Sequence, residues 1–283
     1  ERAYVQAGWD LKQSKNEYSS HLFPNFIDVL EQIETVMDQS WYSNENKGDY
    51  KGSLCTRLRS LTNGINSLVF TTDELQPAEL FDQNVIVDLS RIGSAETKSL
   101  IMGILVMKLQ EYRMAASQRM NNPLKHVTVL EEAHNLLKRT STEQSSESAN
   151  LLGKSVEMLT NAIAEMRTYG EGFIIADQSP GLLDMAVIRN TNTKIIMRLP
   201  EYSDRELVGR AASLNDEQIA ELSKLGKGIA AVYQNDWLEP VLCKIDKYDY
   251  PETAPVSQST AETPLAKKEA QAKHAASILV NFI

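Results

Sequence analysis

The chain has 283 residues, of which 42% are hydrophobic, and a formal net charge of −9 at pH 7. This length and apolar content predict a sizeable core, and the acidic balance excludes a protein that coats DNA with its whole surface, although a locally basic pore remains compatible with it. The two cysteines, Cys55 and Cys243, are far apart, so they suggest neither a disulfide framework nor a metal-binding spacing and favour a reducing cytoplasm. No apolar run is long enough to span a membrane, which predicts a chain without an integral membrane segment.

Residues 1–80 are predicted to form a helical subdomain. Pro24 opens a stretch with apolar residues at helical spacing, and a polar connector at 44–49 separates it from a second stripe. The two stripes consist of Phe26, Ile27, Leu30, Ile33, Val36 and Met37, followed by Leu54, Leu58, Leu61 and Ile65. We assign this subdomain packing or partner contacts and no chemistry.

Residues 81–250 alternate between short apolar strands and amphipathic helices. The predicted strands cover residues 84–90, 126–130, 172–176 and 193–199, and helical stripes follow the first two. This alternation predicts an α/β fold with a mostly parallel sheet flanked by helices. Residues 138–148, rich in serine, threonine and charge, indicate a flexible loop.

The end of this domain is predicted to contain short helices at 204–211 and 215–224, with Ser203 and Asn215 as N-caps, and a closing pair of strands at 228–233 and 240–245. Residues 251–264 lack apolar periodicity and form a linker, and residues 265–283 form a last helix that docks on a partner or on the rest of a longer chain.

Polar residues follow two of the predicted strands directly. Glu131 and Glu132 end the second strand, and Gln178 lies just beyond the third. Because open α/β sheets bind ligands at the carboxyl ends of their strands, the two carboxylates indicate the metal and the base of a nucleotide-hydrolysing site. The alternative is the solvated first turn of a helix, where glutamate is favoured by the helix dipole.

Over about residues 1–245 the chain resembles the HerA-type ATPases, members of the HerA/FtsK/VirB4 superfamily of P-loop NTPases. The resemblance depends on four runs in this order: VIVDLSRIGSAETKSLIMGILVMKLQEYR, HVTVLEEAHNLL, EMRTYGEGFIIADQSP and TNTKIIMRL. It implies a RecA/HerA-like ATPase domain of which the chain supplies the C-terminal half, with residues 1–80 as a helical insertion.

The resemblance also implies roles for individual residues. Glu131 lies where most P-loop ATPases have the metal-associated aspartate, and its longer side chain implies contact with Mg²⁺ through water. Glu132 lies where the family has the carboxylate that activates the attacking water. Gln178 matches the polar sensor of the γ-phosphate, or else it is simply a polar strand end. Arg167 matches the arginine presented to the neighbouring subunit's nucleotide, or else it is an exposed cation at a helix end.

The glycine-rich phosphate loop of this class, G-x-x-x-x-G-K-[ST], does not occur in the sequence. The nearest similar segment, at 93–99, lacks the second glycine and follows the wrong strand, so we interpret it as a helix N-terminus. The resemblance therefore implies an upstream segment of the same protein that carries the loop and a strand near the middle of the sheet. Without that segment we expect the 283 residues alone to be inactive.

The predicted function is that of an ATP- and Mg²⁺-dependent DNA translocase or helicase-type motor, assembled as a hexameric ring. Expected partners are DNA and a nuclease, or a restriction or anti-phage assembly. The alternatives are a secretion or conjugation motor, and a non-catalytic assembly or DNA-binding module that retains the fold. The expected location is the cytoplasm.

Overall fold

The computed structural model describes residues 1–20, 22–64, 66–71, 75–117, 121–139 and 151–248, and for residues 151–154 it describes the backbone alone. Most of the predicted loop at 138–148, the predicted linker at 251–264 and the predicted helix at 265–283 lie outside the described residues. Within these ranges, every helix is too short or too polar to cross a membrane.

The N-terminal part is helical, apart from one small hairpin. Its elements are α1 (Arg2–Gln6), β1 (Trp9–Asp10), β2 (Lys15–Asn16), α2 (Phe26–Gln39), α3 (Asn44–Thr62), α4 (Asn66–Val69) and α5 (Pro77–Phe81). Helices are confirmed at both predicted stripes, as α2 and α3, which pack against each other, while Ile65 of the second stripe lies outside the described residues. Asn25 and Asp28 form a capping box that fixes the start of α2.

The prediction of a polar connector at 44–49 is wrong, because these residues form the first turns of α3. The Ser43 side chain accepts a hydrogen bond from the backbone N–H of Asn46, and Glu45 lies in the first turn, where a negative charge is favourable. A polar sequence with a good N-cap can therefore begin a helix even where it lacks an apolar stripe.

The prediction of a strand at 84–90 is also wrong, since the structure describes no regular secondary structure there. Val85, Ile86 and Val87 are exposed, Ile86 by 95%. A β-branched run becomes a strand only when a neighbouring strand satisfies its backbone N–H and C=O groups. Among the described residues no strand pairs with this segment.

A long helix and a parallel strand pair form the centre of the molecule. Helix α6 (Ala95–Ala116) begins at its N-cap Ser94, which confirms a helix N-terminus in the segment at 93–99. Strand β3 (His126–Glu131), helix α7 (Leu151–Met166) and strand β4 (Glu171–Ala176) follow, and β3 and β4 pair in parallel from His126 opposite Glu171 to Glu131 opposite Ala176.

The last part contains α8 (Met185–Asn190), β5 (Thr193–Ile196), α9 (Tyr202–Ala211), α10 (Asp216–Glu221), β6 (Ile229–Gln234) and β7 (Val241–Lys244). The closing pair of strands is confirmed as β6 and β7, and Asn215 is confirmed as an N-cap. Ser203 is not an N-cap. Helix α9 begins at Tyr202, two residues before the predicted start at 204, and its N-cap is Glu201.

The single, mostly parallel sheet that the sequence predicted is not formed within the described ranges. The strand predicted at 193–199 is the shorter β5, and it pairs antiparallel with β6. The described strands thus form a parallel pair, β3 with β4, and a separate antiparallel sheet in the order β5, β6, β7. The fold remains α/β, but its sheet is divided.

One face of the parallel pair packs on the main core. Leu130 is buried there, and Phe173 and Ile175 pack against the same cluster. The opposite face is uncovered, because Val127, Val129 and Ile174 are 39%, 53% and 54% exposed. The main core comprises Phe81, Val106, Leu109, Leu130, Ala133, Leu136, Leu137, Leu159, Met166, Leu183, Val187 and Ile188.

A buried polar network holds the starts of β3 and β4. The Glu171 carboxylate, whose side chain is fully buried, accepts from Arg113 Nε at 2.9 Å and from Thr128 Oγ1 at 2.7 Å, and it lies 2.7 Å from His126 Nδ1. Arg113 also donates to Asp82 Oδ1 at 2.7 Å. The Tyr112 hydroxyl and the Arg113 guanidinium lower the pKa of the Asp82 carboxyl by donating hydrogen bonds to it.

Candidate functional site

The carboxyl ends of β3 and β4 lie side by side. Glu131 is in register with Ala176, at the usual strand separation of about 4.8 Å, so the segments that begin at Glu132 and Asp177 leave the two strands side by side. Three of the four predicted site residues, Glu131, Glu132 and Gln178, therefore lie at these strand ends or within two residues of them. All three are exposed, so they face solvent at one edge of the pair.

Glu132 has a left-handed backbone conformation, with φ 48° and ψ 50°. This region is disfavoured for residues with a Cβ atom, and its occurrence at a strand tip often marks a functional constraint. The turn is stabilised by Asn135, whose backbone N–H and side-chain Nδ2 both donate to the Glu132 carbonyl oxygen at 3.0 Å. The conformation directs the chain sharply away from the strand at Glu132.

Buried residues anchor the segment that follows Glu132. Ala133 and Leu137 are completely buried and Leu136 is 4% exposed, so the short 3-10 helix at Ala133–Asn135 is fixed to the core. Backbone hydrogen bonds then join this segment to the one that follows β4: Arg139 N–H donates to Leu182 O at 2.7 Å and Asp184 N–H donates to Leu137 O at 2.9 Å. The two chain segments beyond the strand tips are thus held together.

Asp177 and His134 connect the two tips directly, and the sequence reasoning gave neither a role. Asp177 Oδ2 accepts from the backbone N–H of His134 and lies 2.9 Å from His134 Nδ1, while Asp177 Oδ1 accepts from the backbone N–H of Ser179. The Asp177 side chain is 3% exposed and that of His134 is 30% exposed. A signal was present in the sequence, because Asp177 immediately follows the strand predicted at 172–176 and His134 lies four residues beyond the strand predicted at 126–130.

Arg167 lies at the other end of β4. It begins a 3-10 helix, Arg167–Tyr169, that precedes the strand, and its side chain is exposed. Since β4 is 6 residues long, Arg167 and Gln178 are separated by at least the strand length, about 16 Å. The structure thus does not bring Arg167 to the Glu132 of its own chain.

The segment at 93–99 shows no sign of a phosphate loop. A Cβ atom placed on Gly93 would meet no atom within 4 Å, so the backbone needs no glycine for close approach. The Ser94 side chain is used as an N-cap, accepting from the backbone N–H of Thr97 at 3.3 Å. These contacts are those of an ordinary helix start.

The donor set at the tips suits a magnesium ion that is shared with a nucleotide. Among the described residues no group of three or more His, Cys, Asp or Glu side chains could hold a metal ion alone. Mg²⁺ usually takes one or two protein carboxylates and completes its shell with water and phosphate oxygens. Glu131 supplies a carboxylate of that kind.

No family model matches the chain. The chain is 25% identical over 266 residues, 92% of its length and 50% of the relative, to the DNA double-strand break repair helicase HerA of Sulfolobus acidocaldarius. It is 24% identical over 226 residues, 78% of its length and 42% of the relative, to the HerA of Sulfurisphaera tokodaii. The chain thus spans about half the length of these curated relatives.

A solved structure supports the same relationship at the level of fold. VirB4 of Thermoanaerobacter pseudethanolicus matches with a TM-score of 0.63 at 14% sequence identity, over 88% of this chain and 62% of that one. The sequence and structure comparisons together confirm the resemblance to the HerA/FtsK/VirB4 superfamily of P-loop NTPases.

Proposed function

Because the chain is a relative of the HerA-type P-loop NTPases, we propose that it forms the C-terminal half of an ATPase domain that drives movement along DNA. The observation that carries this proposal is the position of Glu131, Glu132 and Gln178 at the carboxyl ends of two paired parallel strands. Ligands of open α/β folds bind at that edge, and carboxylates there suit a hydrolytic site.

Each of these side chains has a separate task in the proposal. Glu132 accepts a proton from the attacking water, Gln178 donates its amide N–H to a γ-phosphate oxygen, and Glu131 would hold Mg²⁺ through water. Mg²⁺, when bound with ATP, would neutralise charge on the phosphate oxygens. The left-handed backbone at Glu132 supports its role, because strain of this type is retained where a side chain must be aimed.

The phosphate loop is supplied by polypeptide outside these 283 residues. The division between the β3–β4 pair and the β5–β6–β7 sheet supports this, since a further strand could join them. The exposed apolar side chains of Val85, Ile86 and Ile174 support it as well, because further polypeptide could bury them. Two clefts in the described surface, one beside Gln110 and one beside Arg205, contain none of the three site residues.

Arg167 serves the site of a neighbouring subunit. Its exposure and its position at the opposite end of β4 support this proposal, because Arg167 is too far away to act on its own chain's site. A guanidinium suits the charge that develops on the transferred phosphate. A closed ring provides this contact at every interface, and we propose six subunits for it.

The DNA-directed role comes from the relatives, which are named as helicases of DNA double-strand break repair. We propose DNA as the substrate that the motor moves, the cytoplasm as its location, and a nuclease or an anti-phage or restriction assembly as its partner. The alternative function is a module that keeps the fold without turnover.

The deciding experiment compares Glu132→Gln with wild type in the complete gene product. ATP binding should stay near the wild-type level, while the hydrolysis rate should fall by roughly 100-fold or more, as expected for loss of a general base. The control is Glu157→Gln, which changes an exposed carboxylate on α7 and should hydrolyse ATP normally. Wild-type turnover in Glu132→Gln, or no turnover in the wild type, would contradict the proposal.

A further inference from the structure

His134 and Asp177 form a bridge between the two strand tips that carry the site. His134 lies two residues after Glu132, and Asp177 lies one residue before Gln178. Three nitrogen atoms surround the Asp177 carboxylate, each at 2.9 Å: the backbone N of His134, His134 Nδ1 and the backbone N of Ser179. The segments that hold Glu132 and Gln178 therefore share one buried carboxylate.

The chemistry of this contact fixes the tautomer of His134. An ionised carboxylate can only accept hydrogen bonds, so His134 Nδ1 carries the proton and donates it to Asp177 Oδ2. The side chain of His134 is 30% exposed, against 3% for Asp177. The imidazole thus uses Nδ1 as a fixed donor and leaves Nε2 outside this contact.

We propose that His134 and Asp177 are positioning residues that hold Glu132 and Gln178 in the relative arrangement needed for hydrolysis. This inference rests on the proposed function and adds the two residues that couple its base to its phosphate sensor. Core packing and the hydrogen bonds from Asn135 hold the backbone of the turn at Glu132, and the contact of His134 with Asp177 links that turn to the tip of β4.

The contact is not required to hold the fold together. Ala133, Leu136 and Leu137 anchor the segment after β3 in the core, and backbone hydrogen bonds link it to residues 182–184. Replacement of the His134 side chain should therefore leave a folded protein with altered local geometry. Small displacements of a catalytic group can lower turnover strongly while substrate binding is preserved.

Two amide substitutions distinguish the role of Nδ1 of His134 from that of Nε2. The side-chain nitrogen of asparagine can occupy the position of Nδ1, whereas that of glutamine reaches the position of Nε2. In the complete gene product, His134→Ala and His134→Gln should lower kcat for ATP by about 10-fold or more with little change in KM, and His134→Asn should keep most of the activity. Asp177→Ala removes all three contacts of the carboxylate and should lower kcat at least as much as His134→Ala.

The matched control is His126→Ala. It removes a contact of the same kind, from a histidine Nδ1 to the buried Glu171 carboxylate, but at the opposite ends of the strands. This variant should keep the wild-type kcat. Activity retained by His134→Gln and lost in His134→Asn would overturn the proposal in favour of a direct role for Nε2, and unchanged kcat in every His134 variant would overturn it as well.

Hydrogen exchange of the backbone, followed by mass spectrometry, gives a readout that is independent of turnover. Peptides covering residues 131–137 and 176–180 should exchange faster in His134→Ala and His134→Gln than in wild type or His134→Asn. Equal exchange in all four proteins would contradict the bridge itself. If the wild-type protein hydrolyses no ATP, the proposed function fails, whereas the exchange measurement still decides whether the bridge orders the two tips.

Discussion

At the tip of β3, the backbone conformation of Glu132 favours a residue type other than the one that is present. Its φ of 48° suits glycine or asparagine better than glutamate, yet the position carries a carboxylate in contact with solvent. Glycine or asparagine at this position would give a more stable backbone than glutamate. The conflict supports a functional reason for the glutamate, since the fold itself does not need a charged side chain at this turn.

This conflict predicts a difference in stability between two substitutions. Glu132→Gly should be more stable than Glu132→Ala by about 1 kcal/mol, because glycine has no Cβ to clash in the left-handed region. At Glu131, which lies in extended β3, glycine should instead be less stable than alanine by roughly 0.5–1 kcal/mol. Urea unfolding of the four variants measures both differences. The same order at the two positions would show that Glu132 is not strained in solution.

Residue types at strand ends were predictable from the sequence, but their partners were not. The carboxylates at 131 and 132 and the amide at 178 follow apolar runs directly, so the parallel pairing of those runs was sufficient to predict their proximity. The contact of Asp177 with His134 depends on the register and on the turn at Glu132. Neither of these can be read from a single sequence.

Among the elements, the start of β4 depends on a charge network rather than on apolar contacts. Glu171 has a fully buried side chain and joins Arg113 of α6 to His126 and Thr128 of β3. A buried carboxylate is stable only when donors surround it. The network thus fixes how α6 and the two strands meet, at the end opposite to the candidate site.

Removal of that carboxylate should be costly. Glu171→Ala leaves the Arg113 guanidinium, whose side chain is 6% exposed, without one of its two carboxylate partners, and the expected loss of unfolding free energy is about 3–5 kcal/mol. The control is Glu34→Ala, which breaks a pair with Arg59 that is about half exposed and should cost less than about 1 kcal/mol. Denaturant unfolding compares the two variants, and losses of similar size would contradict a stabilising network.

Secondary-structure elements were predictable from the sequence where local interactions, such as helix caps, determine them. The capping box at Asn215 and the apolar stripe of α2 were sufficient to predict a helix start and a helix. The segment at 84–90 has the composition of a strand, but a strand exists only with a partner, so its exposed apolar residues have no pairing among the described residues. The split of the sheet has the same cause, because it depends on strands that these residues do not supply.

For the whole molecule, the position of Arg167 decides which subunit's site this arginine can serve in the proposed motor. At one end of β4 the chain presents its candidate base and sensor, and at the other end it presents Arg167. If both ends contribute to hydrolysis, a nucleotide must lie between the site edge of one subunit and the arginine edge of the next. A closed ring repeats that contact at every interface.

Mixing of two inactive variants tests this arrangement. Arg167→Ala and Glu132→Gln rings should each hydrolyse ATP poorly, whereas rings that contain both kinds of subunit should regain activity, because about a quarter of the interfaces then combine an intact base with an intact arginine. Arg57→Ala, which removes an exposed arginine of α3, should be active without mixing. If verified mixed rings show no recovery, Arg167 does not act across the interface, and its exposure reflects only a cation at the end of α7.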